Sequence, residues 1–72
     1  MKEFFLTITV GNVTSKMDLQ ESNLPDACER AVKIYNSLIS CVKKRKKLIV
    51  NVFELTDKGY SRHTYHIERG SM

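Results

Sequence analysis

His63 and His66, Cys28 and Cys41, the run Lys43-Lys44-Arg45-Lys46-Lys47, and the carboxylates Glu54, Asp57 and Glu68 are the side chains from which this chain could build chemistry. Two histidines three apart can share a metal ion when both project from one face. Tyr60 to Glu68 reads as a strand, however, where residues three apart point to opposite faces, so His63 and His66 are not expected to chelate together. Adding Cys28 or Cys41 would draw thiols from the apolar arc of a helix. A cysteine–histidine nucleophile needs an orienting carboxylate and an accessible thiolate, and the pattern offers neither. Tyr35 and Tyr65 fit core positions with a polar end. The three glycines lie in turns or the C-terminal tail and form no phosphate-cradling loop. The expectation is a protein without catalysis, metal, cofactor or small-molecule substrate.

The basic run stands apart from the rest of the composition. The formal net charge is +4, and five consecutive cations can bind phosphates through salt-dependent contacts that ignore sequence. Lys43, Lys44, Arg45, Lys46 and Lys47, with Arg62 and His66 assisting, are the candidate site for nucleic acid or an acidic protein. The same run also suits a helix C-terminus, where cations complement the macrodipole, or the approach to an apolar strand, where lysines oppose aggregation.

Around these residues the chain alternates in a way that defines elements. Phe4, Leu6, Ile8 and Val10 share one side of a first strand. Gly11-Asn12 is a two-residue hairpin loop, which sets Val10 opposite Val13, Ile8 opposite Ser15, Leu6 opposite Met17 and Phe4 opposite Leu19. Asn23 can cap a helix, with Pro25 in its first turn and Asp26 three residues on. Leu24, Ala27, Cys28, Ala31, Val32, Ile34, Tyr35, Leu38, Ile39, Cys41 and Val42 then fall on one half of a helical cylinder, which predicts a helix from Leu24 to about Lys44. Leu48 to Leu55 reads as a third strand. Asp57-Lys58-Gly59 is a turn with Gly59 at positive φ, and Tyr60 to Glu68 is a fourth strand, with Glu54 opposite Arg62.

The predicted architecture is an α+β fold, β-hairpin–helix–β-hairpin (ββαββ), with a four-stranded mainly antiparallel sheet and one amphipathic helix on one face. An all-antiparallel strand order 2-1-3-4 satisfies the directions, and 1-2-3-4 with a parallel central pair is also compatible with a right-handed crossover. One small domain is expected over residues 1–69, with a frayed tail at 70–72. At 72 residues a second domain or a deep cleft has almost no material. The longest aliphatic stretch, Leu48-Ile49-Val50, is far short of a membrane span. The alternating Thr residues of the N-terminal segment read as a strand and not as a signal peptide, and unpaired cysteines fit a cytoplasmic setting.

Both sides of the second hairpin are apolar, and one helix covers only one of them. Ile49, Phe53, Leu55, Tyr65 and Ile67 are expected to face the helix. Phe5, Leu48, Val50, Val52 and Tyr60 are then left on an open face as a protein interface. Two such faces packed together predict a homodimer. The hairpin followed by the helix start Asn23-Leu24-Pro25-Asp26-Ala27 and further strands resembles the layout of many small phage or prophage proteins, some of which bind and inhibit host machinery. That resemblance implies stoichiometric binding to a protein partner.

Overall fold

The computed structural model describes residues 2–69; the expectation for residues 70–72 lies outside them. The elements are β1 (Lys2–Val10), β2 (Val13–Glu21), α1 (Leu24–Ile39), β3 (Leu48–Leu55) and β4 (Ser61–Arg69). All strand pairings are antiparallel and the order is β2-β1-β3-β4, the all-antiparallel one of the two orders the sequence left open.

The first hairpin forms in the register its turn dictates. Gly11 has φ 62°, while among the described residues no non-glycine residue takes positive φ, so the turn has the form with glycine at its first central position. Val10↔Val13, Ile8↔Ser15, Leu6↔Met17 and Phe4↔Leu19 are paired without interruption. The Gly11 N–H donates to the Lys47 carbonyl at 2.9 Å, which ties this turn to the entry of β3.

The Asn23 side chain accepts from the Asp26 N–H at 2.9 Å and starts α1, with Pro25 in the first turn. Ala27 and Ala31 are fully buried against Phe4, Leu6, Val50 and Val52, with Ile8, Leu19, Leu24, Ile34, Tyr35 and Tyr65 packed around them. The helix ends at Ile39, five residues before the expected limit at Lys44. The Cys41 and Val42 N–H groups both turn back to the Leu38 carbonyl at 2.9 Å, and the Ser40 hydroxyl donates to the Ser37 carbonyl at 3.2 Å. Carrying the helix to Lys44 would leave only three residues to return to Leu48.

The second hairpin corrects the expected core. Leu48, Val50 and Val52 are buried under the helix, at 0% exposure, while Ile49 and Phe53 lie on the other face. Tyr65 and Ile67 do face the helix, but opposite Val52 and Val50. A β-bulge reconciles the two strands: Val52 pairs with Tyr65 and the next residue, Phe53, pairs with His63, so Thr64 is the extra residue. The Thr64 hydroxyl donates to the Val52 carbonyl at 3.0 Å. Below the bulge Glu54 still pairs with Arg62, as expected. Gly59 takes φ 82° in the connecting turn, and the Thr56 N–H donates to the Tyr60 carbonyl at 2.7 Å. One inserted residue rephases half of β4 and thereby selects which side of β3 becomes core.

Candidate functional site

The expected interface does not exist as a surface. Leu48, Val50 and Val52 are interior, Tyr60 is 69% exposed in the β3–β4 turn, and Phe5 alone sits on the face away from the helix. Two other surfaces take its place.

The first is the basic end. Lys43, Lys44, Arg45, Lys46 and Lys47 form the exposed loop between α1 and β3. Their reading as cations for the helix C-terminus is replaced by another residue: the last turn of α1 holds no basic side chain, and Arg69 from β4 performs that role. Its guanidinium donates to the carbonyls of Ile39 at 3.3 Å, Val42 at 3.2 Å, Lys43 at 2.7 Å and Lys46 at 3.2 Å. The loop carbonyls are thus gathered inward around one cation, and the five basic side chains are left at the surface. Nothing in the local sequence marks Arg69 for this task, because its partners lie 23 to 30 residues away.

Among the described residues none of the five loop cations has an ion-pair partner. The ion pairs are instead Lys16–Asp18, Arg30–Glu21, Lys33–Glu29 and Arg62–Glu54. Arg62, grouped with the basic run from the sequence, lies at the opposite end of β4 and is 3.6 Å from Glu54. That end also gathers Glu3 and Asp57 with Lys2, and Glu21, Asp26 and Glu29 with Arg30 and Lys33, so its charges largely balance. The molecule measures 39 × 20 × 15 Å, and the basic loop concentrates positive charge at one end of its long axis. A groove of about 580 Å³ runs beside the loop, between Arg45–Lys47 and the β1–β2 turn at Val10–Val13. Val13, 68% exposed, gives it an apolar wall.

The second surface is the sheet face away from α1. Phe5 and Phe53 stand on the two central strands, stacked at 4.7 Å with ring planes 9° apart. The Lys16 ammonium lies 4.6 Å from the Phe5 ring, and His63 approaches Phe53 at 5.6 Å. The ladder therefore runs from β2 to β4 with its ring faces largely occupied by one another. Beside it the Asn51 amide donates to the Thr7 hydroxyl at 3.2 Å, which leaves its carbonyl oxygen to accept from His66 Nδ1 at 2.6 Å.

The bulge also corrects the expectation for the histidines. His63 and His66 share this open face, with ring centroids 5.6 Å apart in an edge-to-face arrangement. His66 Nε2 lies 3.3 Å from Glu68. Among the described residues, no three His, Cys, Asp or Glu side chains are grouped to hold a metal ion. Cys28 is half-buried on α1, and burial pushes its thiol pKa up, away from thiolate chemistry. Cys41 is exposed and lies beyond the helix. No helix is long and apolar enough to cross a membrane among the described residues.

Comparison with protein-family models, curated proteins and solved structures finds no match to this chain.

Proposed function

We propose that the protein is a small non-catalytic binding module that holds the phosphate backbone of a nucleic acid with the basic loop at residues 43–47. The observation that carries this reading is the release of those five side chains from structural duty. Arg69 binds the loop and helix carbonyls, so the lysines are not needed to cap α1, and they face solvent without ion-pair partners among the described residues. Cations crowded without partners repel one another, and a polyanion relieves that repulsion by releasing its own counterions. The ladder of Phe5 and Phe53 does not offer open ring faces for bases, so the reading is of backbone contact without sequence preference.

Fluorescence anisotropy with labelled single-stranded and duplex oligonucleotides across a salt series tests it. Binding to single strands is expected to weaken with salt along a logarithmic slope of up to about −3.5 if all five cations engage. Lys44→Ala with Lys46→Ala is expected to flatten that slope by about 1.4. Absence of binding at low salt, or binding indifferent to salt, overturns the reading.

A protein partner on the open sheet face is the second reading. It is favoured by Phe5, Phe53 and Ile49, apolar groups on the face that no helix covers. Phe53→Ala should then weaken capture of that partner while leaving oligonucleotide affinity intact.

A further inference from the structure

The two edges of the sheet differ. β4 carries the Thr64 bulge, which breaks the even spacing of its outward backbone groups, whereas β2 pairs with β1 over nine consecutive residues with no irregularity and contains no proline. An unbroken edge strand presents a row of free N–H and C=O groups that a further strand can join. Which residues present them follows from the first turn. The Gly11 N–H bonds to Lys47 on the β3 side, so odd-numbered residues of β1 direct their backbone groups to β3 and even-numbered ones to β2. In β2, then, Val13, Ser15, Met17 and Leu19 bond to β1. Thr14, Lys16, Asp18 and Gln20 offer theirs to the outside.

We propose that this edge pairs with β2 of a second copy, antiparallel, with the two-fold axis passing at Met17. In that register Lys16 of each chain stands directly opposite Asp18 of the other, in hydrogen-bonded pairs, and Thr14 stands opposite Gln20. Shifting the axis to Lys16 or to Asp18 sets like charges face to face. The pattern is therefore self-complementary in one register and repulsive in its neighbours. On the helix side the axis brings Met17, 38% exposed in the single chain, against its own copy as a closely spaced non-hydrogen-bonded pair. The antiparallel arrangement also lays the basic end of each chain, with residues 43–47, at the end of the other where Glu21, Asp26 and Glu29 balance Arg30 and Lys33, so the two basic loops are kept apart. The result is one continuous sheet with both helices on the same side. It leaves both basic loops free, at opposite ends of the dimer.

Sedimentation equilibrium of nucleic-acid-free protein over a wide concentration range tests this. The unsubstituted chain is expected to dimerise. Lys16→Asp alone and Asp18→Lys alone each set like charges opposite one another twice, and should weaken the dimer by at least about tenfold. Mixed in equal amounts, those two variants should recover a heterodimer, and the doubly substituted chain carrying Lys16→Asp and Asp18→Lys should recover the homodimer. Far-UV circular dichroism checks that each variant keeps its fold. A chain that stays monomeric at every concentration, or a dimer indifferent to both single substitutions, overturns the proposal. Neither outcome bears on oligonucleotide binding by the loop.

Discussion

Arg69 shows how much one side chain at the end of a strand can organise. Its guanidinium closes the end of α1 and the return to β3 by donating to four carbonyls, and its buried Nε has no partner among the described residues. A charged donor to carbonyls contributes about 1.5–3 kcal/mol net. Arg69→Met keeps the bulk of the stem and removes the fork, and is expected to cost about 2–3 kcal/mol in urea unfolding. Amide exchange should accelerate specifically over residues 40–47. Cys28 and Cys41 differ in the same way that buried and exposed groups generally do. Burial raises the Cys28 pKa, so at mildly alkaline pH it should alkylate with iodoacetamide more slowly than exposed Cys41. Because the folded-state pKa lies above the unfolded one, the thiol's contribution to stability is present below the unfolded pKa. It is lost as pH rises through the folded pKa.

The helix and the fourth strand illustrate why elements end or change phase where they do. α1 begins at a cap that is local in sequence, Asn23 accepting from Asp26, and Asn23→Ala should lower stability by about 1 kcal/mol in the same unfolding measurement. Its end is different. The apolar arc continues through Cys41 and Val42, but the chain must turn toward Leu48, and the bonds that stop it come from Leu38 and from Arg69 on β4. In β4, alternation alone places His63 on the side of Tyr65, because period-two counting has no means of inserting a residue. Thr64 is that insertion, and its hydroxyl finds the Val52 carbonyl. A hint was present in the sequence: the register that sets Glu54 opposite Arg62 cannot, unbroken, gather Leu48, Val50 and Val52 together with Tyr65 and Ile67, although together they make the more apolar face.

Seen entire, the protein is a sheet with one covered face, one ladder-bearing face and a basic loop at one end of a 39 Å axis. The covered face makes the mutational logic of β3 sharp. Val50 has no exposure, so Val50→Glu places an unpaired carboxylate in the core and should abolish folding by far-UV circular dichroism. Phe53→Ala, on the other face, removes one partner of a half-buried stack and is expected to cost about 1–2 kcal/mol while retaining the native spectrum. The opposite ranking would mean that the helix covers the other side of the sheet.

The sequence by itself determined the ββαββ order, the first hairpin's register, the Asn23 cap, the Gly59 turn and the Glu54–Arg62 pairing, because each is set by residues close together in the chain or by strict alternation. It also marked the basic run as the feature to explain. The tertiary structure alone decided which face of β3 is buried, that His63 and His66 share a side, where α1 stops, and that Arg69 frees the lysines for the surface. Each of those depends on groups brought together from distant parts of the chain. A single bulged residue, or one arginine reaching back across 30 positions, leaves no periodic trace from which they could be read.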